Sequence, residues 1–254
     1  MHSVISGPSA IRTPQDDYAV SAEFYDVLQG RQDAIRVGDL YGEDVRNARL
    51  GVLDVGAGTG RVTLMCLDES RVGVHAVEPS RAMRTPLMSR LASLPAESRA
   101  RVTVHCETLD EADLHEVADV AICHNTLAGL APAARRTLWP ALARALVPGG
   151  SVLLQLPPAH LPREETVRVF PLQRIGRHEY GGRMVMSAFG GRIRTRFDYW
   201  VCGAGRVLRE HTETFWMWPT SRAEVTGELE RHGFVRLPER DDPTVLVMAL
   251  GKHW

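Results

Sequence analysis

Val52-Leu53-Asp54-Val55-Gly56-Ala57-Gly58-Thr59-Gly60-Arg61-Val62-Thr63-Leu64 is a short apolar run that ends in an acid, breaks into three alternating glycines and restarts with helix-compatible residues. That order reads as strand, tight turn, helix. Glycine lets a backbone turn sharply and leaves room for a ligand against the main chain. A dinucleotide fingerprint spaces its glycines G-x-G-x-x-G around a pyrophosphate at the helix N-terminus. Here the spacing is G-x-G-x-G, Arg61 stands where the fingerprint has its last glycine, and Asp54 adds a carboxylate at the strand end. An acid in that place repels a pyrophosphate and suits a cationic ligand.

Val72-Gly73-Val74-His75-Ala76-Val77-Glu78 is a second apolar run ending in an acid. It falls where a βαβ unit needs a carboxylate to reach a ribose diol. Asp54, Gly56, Gly58, Gly60 and Glu78 together suggest a nucleoside that carries positive charge. At these residues the sequence resembles the class I S-adenosylmethionine-dependent methyltransferases, whose first motif reads much like VLDVGAGTG and whose second strand ends in an acid like that of AVEPS. The resemblance implies an α/β fold with a Rossmann-like, doubly wound, mainly parallel sheet, and S-adenosyl-L-methionine as cofactor. It places that cofactor against Asp54, Gly56, Ala57, Gly58 and Gly60, then against Glu78, Pro79 and Met83 after the second strand. Glu107, Thr108 and Leu109 follow the third strand and His124 and Asn125 the fourth, while Tyr18 and Tyr25 belong to a leading segment that closes over the cofactor. Where the family usually has aspartate after glycine, this chain has Glu107 after Cys106.

Length and composition bound the rest. A chain of 254 residues buries one sizeable core, so one domain with an elaboration is expected. A formal net charge of −1 supplies no global field towards nucleic acid, so no nucleic-acid partner is expected. Cys66, Cys106, Cys123 and Cys202 are far apart and form no CxxC pair, and the histidines show no HExxH spacing, so neither a disulfide framework nor a metal site is expected. No apolar run is long enough to span a bilayer, and a soluble cytoplasmic protein without a membrane partner is the expectation.

Along the chain, residues up to Asp16 are rich in Ser, Pro and Gly without periodicity and read as unordered. Tyr18, Phe24, Tyr25, Val27 and Leu28 fall at helical spacings, so 1–50 reads as a flexible segment with cofactor-covering helices. The two tyrosines read equally as packing aromatics or as contacts to the cofactor's amino acid head. The cofactor-binding core spans 51–157: a helix capped by Ser80 follows the second strand, strands follow at 101–106 and 117–123, a helix at 136–146, the turn Val147-Pro148-Gly149-Gly150, and a fifth strand at 151–156. Residues 158–219 lose the helical stripe and show glycine pairs at Gly181-Gly182, Gly190-Gly191 and Gly203-Ala204-Gly205, read as the turns of an antiparallel β-hairpin elaboration after the fifth strand. Ile193, Thr195, Phe197, Tyr199 and Val201 alternate with polar or outward residues, as a two-faced strand requires. Residues 220–254 read as a helix ending at Gly233 and two closing strands, which the resemblance makes an antiparallel end to the core sheet.

Methyl transfer from a sulfonium needs chiefly an aligned nucleophile and excluded water, so no catalytic constellation is required and none stands out. His124 is the candidate general base or orienting group, with Asn125 beside it; the alternative is that His124 only packs at the strand end. Residues 163–206 carry nine arginines and four acids interleaved with aromatics. They read either as a lid for an anionic substrate or as the solvent face of a sheet, and the sheet with Phe215-Trp216-Met217-Trp218 also offers a homodimer surface. The layout is similar to that of aminosugar N-methyltransferases of antibiotic pathways. The expected function is methylation of nitrogen or oxygen on a small-molecule substrate; the rivals are a nucleic-acid methyltransferase and a cofactor-binding member of the fold that does not methylate.

Overall fold

A computed structural model describes residues 18–252, so the leader up to Asp16 lies outside the described residues. In chain order the elements are α1 (Ser21–Asn47), β1 (Gly51–Val55), α2 (Arg61–Glu69), β2 (Gly73–Val77), α3 (Arg81–Ala92), α4 (Ala96–Arg99), β3 (Val102–His105) and β4 (Ala118–Cys123). There follow α5 (Pro132–Ala145), β5 (Leu146–Gln155), β6 (Thr166–Ile175), β7 (His178–Phe189), β8 (Arg192–Gly203), β9 (Arg206–Met217), α6 (Arg222–Glu230), β10 (Phe234–Arg236) and β11 (Val245–Leu250).

Seven strands form one sheet in the order β10-β11-β5-β4-β1-β2-β3. β1 pairs in parallel with both β2 and β4, so the order reverses at β1, and ligands of such sheets bind beyond the strand ends at that point. β11 runs antiparallel to β5 and to β10, giving the reversed end foreseen for the closing strands. All five residues of β1 are buried, as a central parallel strand covered on both faces requires. Leu53 and Val55 face the layer that contains Trp139 and Leu142 of α5 and Val225 and Leu229 of α6. Val52 faces the opposite layer, with Tyr41 of α1, Cys66 of α2 and Leu87 of α3. No described helix is long and apolar enough to cross a membrane.

The remaining four strands make a separate antiparallel meander, β6-β7-β8-β9. The alternation read in β8 is real: Ile193, Thr195, Tyr199 and Val201 are buried while their neighbours are partly exposed. Gly181 and Gly182, read as a hairpin turn, instead lie inside β7 opposite Trp200 and Tyr199. They are small because the sheet is crowded there: a Cβ at Gly182 would come 2.9 Å from both Leu28 of α1 and the Tyr199 ring. The first turn is made at Gly176, whose φ is 60°, and the others at Gly190-Gly191 and Ala204-Gly205. Likewise Val147-Pro148-Gly149-Gly150 is no free turn but the irregular start of β5, where the pairing with β4 shifts register.

α1 is one helix of 27 residues that joins the two sheets. No side chain of its own caps its N-terminus; Glu213 of β9 accepts hydrogen bonds from the backbone N–H of Val20 (3.3 Å) and Ser21 (2.7 Å) instead. A carboxylate there also meets the positive end of the helix dipole. Phe24 stacks on Tyr199 at 4.5 Å between centroids, and Ser21 Oγ lies 2.9 Å from the Tyr199 hydroxyl. The meander therefore fixes where α1 starts, and α1 runs from there to the switch point.

On the outer strands, His75 Nδ1 lies 3.1 Å from His105 Nε2, with the rings nearly parallel. A single N–H fits between two neutral rings. Partial burial lowers the affinity of both for a second proton, and for His75 the charge of His105 adds to it. Both are then more basic unfolded than folded, so their contribution to stability is present above the unfolded value, about pH 6.5, and declines as pH falls below it. We expect the melting midpoint to drop less between about pH 7 and pH 5.5 in His105→Gln than in the wild type, measured by calorimetry. Equal slopes would show that the pair has no such linkage.

Candidate active site

The glycine turn joins β1 to α2 and hangs on β2. The N–H groups of Gly56 and Ala57 both donate to Val77 O, at 2.9 and 3.0 Å, and Gly60 N–H donates to Ala57 O at 2.8 Å. Gly56 and Gly60 have φ of 74° and 93°, a region that suits glycine. A Cβ at Gly56 would collide with the Thr126 side chain, and one at Gly60 with Leu87.

Two acids serve this turn differently. Glu78, at the end of β2, accepts from Gly58 N–H through Oε2 (2.7 Å) and from Ser80 N–H through Oε1 (2.8 Å), so one carboxylate ties the turn to the start of α3. It also stands on the cavity wall. Asp54 does not. It is buried beneath the turn, where it accepts a hydrogen bond from Thr63 Oγ1 at 2.6 Å. Burial is the main reason its pKa rises to about 7; the Thr63 bonds oppose the rise and the charge of Glu78 adds to it. The expectation that Asp54 faces the ligand as a charge is corrected: it supports the turn from below.

α1 closes the turn from above. Asp26 pairs with Arg61 of α2 and Arg90 of α3 and accepts from Thr59 Oγ1 at 2.8 Å, while Arg61 also donates to Gly30 O. Arg61, which replaces the last fingerprint glycine, is thus spent on α1 rather than on an anion. Beyond it a cavity of about 600 Å³ opens at the switch point.

The structure brings Tyr18, Tyr25, Gly56, Ala57, Gly58, Glu78, Pro79, Met83, Thr108, Leu109, His124 and Asn125 to the wall of this one cavity. Asp54 and Gly60 lie behind the wall, Gly60 as the residue that begins α2. Glu107 is not brought to it either. The sheet edge turns Glu107 outward, where it accepts from Cys106 Sγ at 3.3 Å, and the wall begins at Thr108. No arginine of 163–206 lines the cavity among the described residues. Arg183 and Arg196 pair with Asp198, and Arg192 covers the Trp216 ring at 4.2 Å. The meander reaches the cavity indirectly, through Phe215 stacked on Tyr18 at 4.8 Å.

Sequence reasoning missed Asp33 and Tyr41 of α1. The buried His124 lies between them: its Nε2 is 3.2 Å from Asp33 Oδ1 and its Nδ1 is 3.1 Å from the Tyr41 hydroxyl. Asp33 Oδ2 accepts from the Tyr25 hydroxyl at 3.3 Å and faces Arg61 Nε at 3.5 Å. Burial alone would raise the Asp33 pKa, but the bonds and charges of His124, Arg61 and Tyr25 hold it below its ordinary value. Burial first, and Asp33 second, raise the Tyr25 phenol; burial likewise raises that of Tyr41. Both phenols stay protonated and can donate. The one signal in the sequence was the spacing of Asp26 and Asp33, which places them on one face of α1.

The donor set fits a cationic nucleoside. Glu78 offers a carboxylate at one end and Asp33 at the other, with an apolar wall of Ala57, Met83 and Leu109 between, and the wall's arginine is already paired with acids. Among the described residues that line the cavity, a pyrophosphate would meet these carboxylates with Arg61 already paired.

Comparisons agree with this geometry. Residues 53–152 match the family described as "Methyltransferase domain". No curated protein matches the sequence. Among solved structures, the chain is similar to CalS10, an amino pentose methyltransferase from Micromonospora echinaspora, with a TM-score of 0.70 and 20% identity over 94% of this chain and 100% of that one. It is similar to the sugar N-methyltransferase KedS8 from Streptoalloteichus sp ATCC 53650, with a TM-score of 0.71 and 20% identity over 99% and 100% of the two chains. DesVI of Streptomyces venezuelae gives a TM-score of 0.73 and 18% identity over 94% and 100%. Residues 53–152 thus match a methyltransferase domain, and the chain as a whole has the Rossmann-like α/β fold of these solved structures.

Proposed function

We propose that the protein transfers a methyl group from S-adenosylmethionine to an amine nitrogen of a small molecule, in the making of a natural product. The single observation that carries the cofactor reading is Glu78, whose carboxylate fixes the glycine turn by way of Gly58 and stands on the cavity wall where a ribose diol would meet it. When bound, the cofactor supplies a methyl carbon on a sulfonium: the acceptor's lone pair forms the new bond, the carbon–sulfur pair leaves with sulfur, and positive charge passes to the acceptor. Glu78 with the Gly56–Gly58 backbone would hold the nucleoside, Met83 and Leu109 would flank it, and Tyr18 and Tyr25 would exclude water from above. The names of the similar structures, which include an amino pentose methyltransferase and a sugar N-methyltransferase, support a nitrogen on a sugar-like acceptor.

Incubation of the purified protein with S-adenosylmethionine and a panel of amino sugars should release S-adenosylhomocysteine, while the matching hydroxyl sugars should not. Release with the hydroxyl set alone would contradict nitrogen as the target.

A further inference from the structure

We propose that Asp33 is the group that meets the acceptor nitrogen, and that His124, held by Tyr41, is a positioning residue which keeps Asp33 in place rather than a general base. The inference rests on the methyl-transfer reading above and deepens it.

His124 has no nitrogen left for a substrate. Asp33 at 3.2 Å requires a proton on Nε2, because a bare nitrogen would set its lone pair against the carboxylate. In the neutral ring Nδ1 then carries the lone pair, and it accepts from the Tyr41 hydroxyl at 3.1 Å. Asn125 Nδ2, 3.1 Å from the same Nε2, cannot donate to a protonated nitrogen; rotating its amide presents the oxygen instead. Both ring positions are therefore occupied in a buried place where neither partner is easily given up.

Asp33 differs. It lines the cavity together with Tyr25 and His124. A carboxylate has about four acceptor sites, and His124 and Tyr25 each take one, with Arg61 Nε 3.5 Å away. The remaining capacity is open to a ligand. In methylation of an amine the nitrogen gains positive charge and keeps its proton, so no protein group has to accept one. A fixed carboxylate beside that nitrogen is stabilising where the charge develops. A hydroxyl acceptor would need a base, and with the two tyrosines protonated and His124 committed, that role would fall to the weakly basic Asp33 carboxylate.

Two measurements test this, and one does not depend on turnover. In protein with 15N-labelled histidine, the ring assigned to His124 through its loss in His124→Asn should show the Nε2–H tautomer; in Asp33→Asn that preference should weaken. A proton on Nδ1 with a free Nε2 pair would overturn the proposal. With an amino sugar that is turned over, Asp33→Asn should lower kcat/KM on the order of 10²-fold or more, a far larger change than in the affinity for S-adenosylhomocysteine, which carries no sulfonium charge. His124→Gln, whose amide N–H can still donate to Asp33 but which cannot act as a base, should stay within about tenfold of wild type. Near-normal activity in Asp33→Asn, or a loss in His124→Gln as large as that in Asp33→Asn, would overturn it. If no amine is methylated, the function proposed above fails, and the ring tautomer still decides how His124 is held.

Discussion

Glu78→Ala will weaken S-adenosylhomocysteine binding about 10²-fold while the protein stays folded. The carboxylate accepts two backbone N–H bonds, from Gly58 at 2.7 Å and Ser80 at 2.8 Å, so its loss frees the middle of the glycine turn and the start of α3 together. Hydrogen bonds to charged groups contribute about 1.5–3 kcal/mol each, and removal of the diol's partner adds to the loosened turn. About 2.7 kcal/mol corresponds to two decades in affinity. The apolar side chains of β1 and β2 keep their packing, and loss of the Glu78 charge relieves the buried Asp54, so the melting midpoint should move little by comparison. Titration calorimetry of the variant decides: an affinity within a few-fold of wild type would remove Glu78 from the site.

The second large effect is on stability. Asp54 has a folded pKa of about 7, above its ordinary 3.8. The folded protein holds the proton more tightly than the unfolded chain. The associated stability is therefore full below about pH 4 and is lost as pH rises to about 7, beyond which the loss is constant. A difference of about three pKa units corresponds to roughly 4 kcal/mol. Asp54→Asn keeps an oxygen for Thr63 and has no charge to bury. Its unfolding free energy relative to wild type should rise by up to that amount between about pH 4 and pH 7 and level off above it. Denaturant melts at several pH values would show this, and a pH-independent difference would mean that Asp54 is ionised without cost.

The core of the fold was legible because its signals are local. The apolar runs of β1 and β2 each end in an acid, and Ser80 does cap α3, accepting from Met83 N–H at 3.2 Å. Ser221 and Glu224 form a full capping box on α6. The misread places are those where packing at a distance decides. Gly181-Gly182 has the composition of a turn, but Trp200 and Leu28 need the space. Asp54 and Glu78 look alike in sequence, each an acid ending an apolar run. Their place along the strand separates them: Asp54 lies within β1, beneath the turn, while Glu78 follows the last residue of β2 and so reaches the wall. Asp26, Asp33 and Tyr41 belong to a helix whose polar residues resemble any solvated face, and only its docking across the glycine turn turns them inward. Glu107 is the reverse case: the motif draws attention to it, and an edge strand turns it away.

The most direct test of the central claim, that the cavity above Gly56–Gly60 holds a sulfonium nucleoside through Glu78, is calorimetric titration of the wild-type protein with S-adenosylmethionine, S-adenosylhomocysteine and NAD. The prediction is saturable binding of the first two at one site per chain and no heat with NAD. Saturable NAD binding with no heat from either nucleoside would contradict it.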